Sequence, residues 1–429
     1  MTQVPLNQQW NTIALLRLSS FGFGITGFLM AMDTIVLPTL VLTVAPEGAK
    51  NTFVGILGLS GLIVAALVQP MVGWYSDRTN TPLGRRVPFI LWSCIFVALG
   101  LSGLGFISNY SSLFILWLFI QANASIGYGP FHALIRDLVP VSRIGAASSL
   151  KILADGAGGV TLIAVSGALI GRFTGPQTVH WLWFTLGIIA ATLVSGAVIS
   201  SLTVISRERA ARISYGRPLD SLRSRAGLHP HLPWFLISRY LMITAIFVFP
   251  TYGLFFLRDV VGAGNPPQIL GLMILSIGGA LVLSIYPAGW LSDRIGRKPV
   301  VIIGGLAAAI GTLALLTADT PLEVVIIASI VGAMVGTVLS ASWALANELG
   351  AEGREGQHMG IVNLATIAGA ASAKVFGPGV DLLNLASPGY GYSALLAGCG
   401  VAFLIGSLLI VPLNASGHQS QTPEESTVG

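Results

Sequence analysis

Charged residues are scarce in this chain: Asp, Glu, Lys and Arg make up 9% of its 429 residues, against 54% hydrophobic residues. A soluble globular protein carries about 25% charged residues. A chain of this size with so few charged residues has too little polar surface to cover the exterior of a soluble fold. The shortage therefore excludes an ordinary soluble domain. Cysteine is scarce too. Cys94 and Cys399 lie in apolar stretches with no metal-ligand spacing, and we expect both to be buried thiols.

Motifs that carry enzymatic chemistry are missing as well. The sequence has no phosphate-binding glycine loop, no metal-ligand cluster and no G-x-S-x-G nucleophile elbow. We therefore expect neither an enzyme nor a bound cofactor or metal. No short apolar segment with a small-residue cleavage site precedes the first long apolar run, so no removable signal peptide is expected.

Long apolar runs fill most of the chain. A helix needs about 20 apolar residues to cross a bilayer, and its backbone must satisfy its own hydrogen bonds in lipid. We predict an all-α membrane protein of twelve transmembrane helices in two pseudo-symmetric six-helix bundles. The predicted spans are 12–44, 52–76, 87–107, 111–139, 146–171, 179–205, 233–258, 267–291, 299–318, 322–349, 358–384 and 390–413.

The predicted domains follow from these spans. An N-terminal bundle covers residues 1–205 and a C-terminal bundle covers 233–414. The basic segment 206–232 between them is predicted to be a linker, either flexible or partly an amphipathic helix on the membrane surface. The polar residues 415–429 are expected to form a disordered tail.

The positive charges are unevenly placed. Most of the 22 Lys and Arg residues lie in loops that follow even-numbered spans. Because cytoplasmic loops retain positive charge, these loops and both termini are predicted to be cytoplasmic in a cell membrane. The net charge of +5 then reflects topology, and no nucleic-acid partner is expected.

One polar pattern occurs twice, half a chain apart. GWYSDRTNTPLGRRVPF at 73–89 joins spans 2 and 3, and GWLSDRIGRKPV at 289–300 joins spans 8 and 9. Such a repeat is typical of transporters built from two related bundles. We expect its glycines to allow close helix approach and its Asp–Arg pairs to hold one conformation of the bundles. A solvated turn that only enforces topology is the alternative.

The repeated pattern resembles the G-x-x-x-D-R-x-G-R-[RK] loop motif of the major facilitator superfamily. The resemblance implies the major facilitator fold, transport by alternating access and no enzymatic activity. In the first copy, five residues separate Arg78 from Gly84, where the second has only Ile295. The motif residues are Gly289, Asp293, Arg294, Gly296, Arg297 and Lys298, and in looser form Gly73, Asp77, Arg78, Gly84, Arg85 and Arg86.

Longer stretches resemble the sucrose transporters and the related glycoside–pentoside–hexuronide cation symporters. These stretches are the extended first loop, GPFHALIRDLVP at 129–140, and SRYLMITAIFVFPTYGLFFLRDVVG at 238–262. The resemblance implies a proton symporter of a sugar or glycoside, and we expect the protein to act as a monomer. Export of drugs or amphipathic metabolites is one alternative. A pigment-delivery or assembly factor on the same fold, which would not transport, is another.

Two carboxylates are candidates for the coupling proton. The resemblance assigns the proton to Asp137, although the family usually lacks an arginine at the position of Arg136, which would hold Asp137 ionised. Alternatively, Asp137 is a helix-end residue paired with Arg136, Arg143 or the 73–89 loop. Asp33 lies deep in span 1 with no basic residue within a turn, which favours proton or substrate binding. A structural hydrogen bond is its alternative.

Further ionisable residues within spans are ion-pair or gate candidates, because charges are costly in a membrane. Lys151 and Asp155 are four residues apart and share a helix face, so a structural ion pair or a gate is expected. Arg239, near the start of span 7, is expected to snorkel to the membrane surface. The remaining two candidates of this group are Glu348 and Lys374.

Candidate substrate-binding residues come from spans 4 and 10. Trp343 and Asn347 are four residues apart in SASWALANEL. An aromatic ring with an amide one turn away suits a sugar, and plain helix packing is the alternative. Tyr128 and His132 on span 4 are the other two candidates.

Overall fold

The computed structural model describes residues 10–79, 81–173, 175–211, 231–349 and 355–413. Within these ranges, twelve helices are long and apolar enough to cross a membrane, as the sequence predicts. They are α1 (Thr12–Val44), α2 (Lys50–Arg78), α3 (Val87–Gly103), α4 (Tyr110–Leu138), α5 (Ile144–Ile170), α6 (Val179–Ala211), α7 (Leu232–Asp259), α8 (Pro266–Ile295), α9 (Arg297–Ala314), α10 (Pro321–Glu348), α11 (Glu355–Ala386) and α12 (Tyr390–Leu408).

Several predicted features lie outside the described residues. Most of the predicted linker, 212–230, and the tail 415–429 are among them. So are the side chains of Arg136 and Asn347.

The helices alternate in direction, which defines two faces. The described chain begins at Trp10 and ends at Leu413 on one side, here called the terminal face, together with the loops after even-numbered helices. The stacking of the Arg207 guanidinium 4.6 Å from the Trp10 ring places the start of α1 beside the end of α6. The loops after odd-numbered helices form the other side, here called the opposite face.

A proline interrupts α1 in the last third of its length. Pro38 has no N–H to donate to the carbonyl four residues earlier. The chain adjusts with one π-helical turn, Met32–Val36, between the α-helical segments Thr12–Ala31 and Leu37–Val44. Single π turns within α-helices are frequent at functional sites, and this one contains Asp33.

A second proline interrupts α11 in the same way. Pro378 frees the carbonyl of Lys374, and the Tyr252 hydroxyl donates to that oxygen at 3.2 Å. A 3₁₀ turn, Lys374–Phe376, separates the α-helical segments Glu355–Ala373 and Gly377–Ala386. Asp33 and Lys374 are the predicted candidates that lie deep in α1 and α11. Each of them therefore lies where a proline has interrupted the regular α-helix.

Helices α1–α6 and α7–α12 form the two bundles. In the first, α1 packs along α5 and α6, and α3 along α4; in the second, α7 packs along α11 and α12, and α10 along α8 and α9. The bundles meet through α2 with α11 and through α5 with α8. At Gly167 a β-carbon would lie 2.4 Å from the Pro267 carbonyl oxygen, so only glycine allows this approach.

The contacts between the bundles lie towards the opposite face. At the terminal face, a β-carbon added to Gly73 or Gly289 would meet no atom within 4 Å. The prediction that these two glycines permit close helix approach is therefore wrong for this conformation, because both face open space. The bundles are closed together at the opposite face and stand apart around the two repeated loops.

Candidate functional site

An ion pair joins the two bundles near the middle of the helices. The Lys374 Nζ lies 2.5 Å from Asp33 Oδ2 and also donates to the Thr251 hydroxyl at 3.4 Å. The Lys374 side chain is 4% exposed and that of Asp33 is 31% exposed. The pair thus connects α1 of one bundle to α7 and α11 of the other, and its carboxylate remains accessible.

Two glycines of α2 make room for this lysine. A β-carbon at Gly58 would lie 2.3 Å from Lys374 Cδ, and one at Gly55 would lie 2.3 Å from the Lys374 carbonyl oxygen. The lysine side chain therefore crosses the surface of α2 through a gap that only glycine leaves. This explains how a residue of α11 reaches a carboxylate on α1.

Asp33 is therefore not an isolated carboxylate. Asp33 has no cation near it in sequence, but Lys374, 341 residues away, pairs with it. Each charge is costly alone in a membrane, by about 2.5–3.5 kcal/mol on insertion scales. Pairing offsets that cost only while the two bundles are in contact, so the pair reports directly on the conformation.

The N-terminal bundle holds a polar cluster between α4 and α5. The predicted pair of Lys151 Nζ and Asp155 Oδ2 forms at 2.6 Å. The ammonium lies 5.9 Å from the Tyr128 ring centroid, and that ring packs edge-on against His132 at 4.3 Å. The structure thus brings together four candidates that the sequence placed in two groups. The Asp155 Oδ1 atom is fully buried without a hydrogen-bond partner among the described residues.

A second cluster lies in the C-terminal bundle, between α7, α10 and α11. Arg239 donates from Nε to the Thr366 hydroxyl and from Nη1 to the Ser342 hydroxyl, each at 2.9 Å. Its guanidinium carbon lies 4.2 Å from the Trp343 ring centroid. Arg239 is only 3% exposed, so the prediction that it snorkels to the surface is wrong. Its hydroxyl partners hold it inside the bundle.

Asp137 belongs to a network at the terminal face. Arg86 donates to Asp137 Oδ2 from Nε at 3.0 Å and from Nη2 at 2.9 Å. The same guanidinium pairs with Asp77 at 2.6 Å and bonds the Ser76 hydroxyl. Arg85 adds a longer contact to Asp77, at 3.6 Å. Of the two interpretations of Asp137, the geometry matches pairing with the 73–89 loop.

The second copy of the loop motif makes an equivalent contact, but the arginine that makes it is shifted by one position in the motif. Arg297 donates to Glu348 at the end of α10 at 2.7 Å, as Arg86 does to Asp137 at the end of α4. Alignment on the motif glycines would have matched Arg297 to Arg85. The structure matches it to Arg86, because each lies two residues before the proline that opens the next helix, Pro88 or Pro299. Lys298 is not part of this contact.

The motif glycines and arginines have distinct local roles. Gly84 and Gly296 have φ of +108° and +91°, a conformation that side chains disfavour. Arg78 stacks 3.7 Å from the Trp74 ring, and Arg294 stacks 4.0 Å from that of Trp290. Among the described residues Asp293 has no ion-pair partner, in contrast to Asp77.

A third network closes the opposite face. Asp381 of α11 is 7% exposed and accepts four hydrogen bonds from the first turn of α2. Its donors are the backbone and amide nitrogens of Asn51, at 3.3 and 2.8 Å, and the backbone N–H and hydroxyl of Thr52, at 2.7 and 2.6 Å. No side chain of the N-terminal bundle caps α2 at Ala49. One bundle therefore caps a helix of the other.

Charged residues extend this network across the opposite face. Lys50 pairs with Asp259 of α7 at 2.6 Å and with Glu47 at 2.5 Å. Arg258 pairs with Glu47 at 3.1 Å. The Tyr392 hydroxyl donates to Asp259 at 2.8 Å. The Lys50–Asp259 and Arg258–Glu47 pairs cross between the bundles, so opening the opposite face requires breaking both of them together with the Asp381 cap.

Sequence reasoning missed the opposite-face network. Its residues lie at helix ends, where charges are common and carry no motif. One signal was present: Asp381 lies within predicted span 358–384, three residues after Pro378, and an acidic residue there needs a partner. The identity of that partner depends on packing between bundles, which spacing along the chain does not contain.

Gly55→Ala is predicted to disfavour this closed conformation. The added methyl would overlap the Lys374 carbonyl oxygen, a backbone atom that no rotamer change can move. Spin labels at Ser108 and Leu316, which lie on the opposite face in different bundles, should report a longer distance in double electron–electron resonance. Gly73→Ala is the matched control, since its methyl enters open space. An unchanged distance between the two labels in Gly55→Ala would contradict this steric explanation.

Comparison with known proteins agrees with the fold. The chain is 26% identical over 349 residues to the multidrug resistance protein MdtG of Klebsiella pneumoniae, covering 79% of this chain and 78% of that protein. It is 32% identical over 114 residues, 21% of the chain, to the sucrose transport protein SUT3 of Oryza sativa. The crystal structure of a D-xylose–proton symporter superposes with a TM-score of 0.71 at 17% identity, covering 95% of this chain and 99% of that one.

A family model also matches most of the chain. The sequence model described as MFS/sugar transport protein matches residues 19–412, which include both bundles and both loop motifs. With the twelve-helix fold and the paired terminal-face networks, this match identifies the chain as a member of the MFS/sugar transport protein family, a transporter of the major facilitator superfamily.

Proposed function

We propose that this protein is a secondary active transporter that moves a small polar solute, a sugar or glycoside, together with protons by alternating access. The observation that carries the proposal is the Asp33–Lys374 pair, which joins the two bundles near the middle of the helices. A carboxylate whose partner is on the other bundle changes its environment whenever the bundles move. That is the property a coupling site requires.

The coupling argument follows from the geometry of this pair. In the closed conformation, the Lys374 ammonium stabilises ionised Asp33. When the bundles separate at the opposite face, Lys374 moves away with α11, and Asp33 is left as a lone carboxylate in an apolar layer. Desolvation then favours the protonated form, so Asp33 takes up a proton. Return of Lys374 displaces that proton, which leaves through the open terminal face.

Asp137 has a different role in this proposal. It is held by Arg86 within one bundle, at the loop between α2 and α3. Movement of the bundles relative to each other does not by itself separate the two groups. We therefore assign Asp137 to the conformational loop network, together with Asp77, and the proton to Asp33.

The polar side chains of the two clusters support a polar solute. Tyr128, His132, Arg239 and Trp343 offer hydrogen-bond groups beside aromatic faces, a combination that suits sugar rings. Export of amphipathic compounds is the second candidate, favoured by the similarity to a multidrug resistance protein over 79% of the chain.

Transport assays separate these two functions. Purified protein in proteoliposomes is given a panel of radiolabelled sugars and glycosides, with and without an imposed pH gradient. Accumulation of a sugar only with the gradient supports symport. If no sugar accumulates and a lipophilic cationic dye is instead moved against its gradient, the exporter function replaces the proposal.

The orientation is part of the proposal. Basic residues crowd the loops of the terminal face, so this face and both termini are assigned to the cytoplasm. The conformation, closed at the opposite face, is then inward-facing. We further propose that the protein acts as a monomer, because each network described here is completed within one chain.

Cysteine labelling tests the orientation. Single cysteines at Ser221 in the segment between the bundles and at Ser108 on the opposite face are introduced into a background lacking Cys94 and Cys399. An impermeant maleimide applied to intact cells should label Ser108→Cys and leave Ser221→Cys unmodified. Labelling of Ser221→Cys alone would reverse the topology.

A further inference from the structure

One cation deep within the helices stands apart from the ion pairs. Asp33 and Lys374 neutralise each other, as do Lys151 and Asp155. Arg239 is the remaining deep cation, and no carboxylate lies within ion-pairing distance of it among the described residues. A buried guanidinium without a counter-ion is unusual, because burial of an unpaired charge costs several kcal/mol.

The nearby acidic residues cannot serve Arg239. Glu348 lies six residues beyond Ser342, about 9 Å along the α10 axis, and is paired with Arg297. The backbone of Glu355 lies eleven residues before Thr366, about 16 Å along the α11 axis. The missing counter-ion is therefore not supplied by the described helices around Arg239.

The guanidinium still has donors available. Of its five N–H groups, one on Nε and one on Nη1 bond the Thr366 and Ser342 hydroxyls. Nη2 has no hydrogen-bond acceptor among the described residues. It is also not one of the side-chain nitrogen and oxygen atoms that are fully buried without a partner. It is therefore not fully enclosed, and a planar arginine edge is suited to bind a carboxylate or phosphate.

The surroundings place this edge beside an open aromatic surface. Helix α10 packs along α8 and α9 but touches α7 and α11 only sparingly, and the side chains of Arg239 and Trp343 occupy the gap. Trp343 is 38% exposed, with one face covered by the guanidinium at 4.2 Å. A ring stacked on Trp343 would have its substituents within reach of Arg239.

We propose that Arg239 and Trp343 form an anion subsite, so that the transported solute carries a carboxylate or phosphate group on a ring. This inference rests on the proposed function and narrows its substrate class. Lys151 does not offer such a site, because Asp155 already occupies it. The two bundles thus differ. Lys151 is neutralised by Asp155 within the protein, whereas Arg239 is neutralised by the solute.

The anion subsite has an electrical consequence. A solute with one negative charge that travels with one proton carries no net charge across the membrane. Its uptake should follow an imposed pH gradient and respond little to an imposed potassium diffusion potential. A neutral glycoside carried with one proton would instead generate a current.

Matched probes test the subsite. Methyl β-D-glucuronide and methyl β-D-glucoside differ only by a carboxylate in place of a hydroxymethyl group, and glucose 6-phosphate and glucose form a second pair. Ligand-induced thermal stabilisation of the purified full-length protein should show at least tenfold tighter binding of an anionic member than of its neutral partner. Arg239→Gln should abolish this preference, and Arg239→Lys should retain part of it. Melting temperature and monodispersity without ligand establish that each variant is folded.

The outcomes separate the two proposals. Equal or weaker binding of both anionic probes by the parent, or an anion preference that persists in Arg239→Gln, overturns the anion subsite. Gradient-driven uptake of a neutral glycoside that Arg239→Gln leaves unchanged would overturn the subsite while retaining proton-coupled transport. If no probe accumulates with the pH gradient, the proposed function itself fails.

Discussion

Asp33→Asn is expected to abolish accumulation of solute against a gradient while leaving equilibrium exchange largely intact. Asparagine has nearly the same shape as the protonated carboxyl but cannot release a proton. The variant therefore behaves as a carrier fixed in the loaded, protonated form. In proteoliposomes with a pH gradient, the ratio of internal to external solute should fall to about 1, and exchange of labelled for unlabelled solute should continue.

The lysine partner gives a second measurement of the same pair. Lys374→Gln leaves Asp33 without its cation, and a lone charge within a membrane span costs about 2.5–3.5 kcal/mol on insertion scales. We expect a lower melting temperature for this variant than for the double variant Asp33→Asn/Lys374→Gln, in which neither charge remains. Equal melting temperatures of the single and double variants would show that the unpaired Asp33 carboxylate costs no stability.

Asp137→Asn is the matched control for coupling. It removes a carboxylate that pairs within one bundle, so the variant should still concentrate solute, with a lower rate because the loop network is weakened. If Asp137→Asn loses accumulation and Asp33→Asn keeps it, the two assignments exchange, and the role implied by family resemblance is correct.

The fold was predictable because membrane insertion imposes a strong pattern. Runs of about 20 apolar residues must be helices in lipid, and the two loop motifs divide the chain into related halves. The Lys151–Asp155 pair was predictable for a similar reason, since both residues lie on one helix and the i, i+4 spacing sets their distance.

The contacts between bundles were not predictable from spacing. Asp33 and Lys374 are 341 residues apart, and their pairing depends on the register of α1 and α11 after each has been broken by a proline. Pro38 and Pro378 were visible in the sequence. Their consequence, one π turn and one 3₁₀ turn that aim the two charges at each other, required the packed structure.

The same limit explains Arg239. Its position near the start of α7 suggested the membrane surface, because long cationic side chains often reach for water. The hydroxyls of Ser342 and Thr366, from two other helices, hold it inside instead. Sequence position gives depth along a helix, but the direction of the side chain depends on which helices surround it.

Asp381→Ala is expected to shift the transporter away from the closed opposite face. The substitution removes all four hydrogen bonds to Asn51 and Thr52 and the negative charge at the first turn of α2. Loss of a helix cap costs about 0.5–2 kcal/mol, and hydrogen bonds to a charged group contribute about 1.5–3 kcal/mol each. A net change of about 2 kcal/mol would raise the open-to-closed ratio roughly 30-fold.

Paired distance measurements would detect this shift. The Ser108–Leu316 distance on the opposite face should increase in Asp381→Ala, and the distance between labels at Leu83 and Ile295 on the terminal face should decrease. Glu323→Ala is the matched control, because Glu323 accepts hydrogen bonds from the backbone of Asp319 and Thr320 at the start of α10, within a single bundle. It should lower thermal stability without moving either distance.

The distance measurements and the melting temperature together distinguish a contact that holds the two bundles together from an ordinary helix cap. A carboxylate that only stabilises α2 would, when removed, lower the melting temperature and leave both distances unchanged, as Glu323→Ala should. A carboxylate that holds the bundles together changes the two distances in opposite directions, since alternating access opens one face as it closes the other. Asp381→Asn should lie between the parent and Asp381→Ala, because the amide oxygen still accepts from the first turn of α2 but carries no charge.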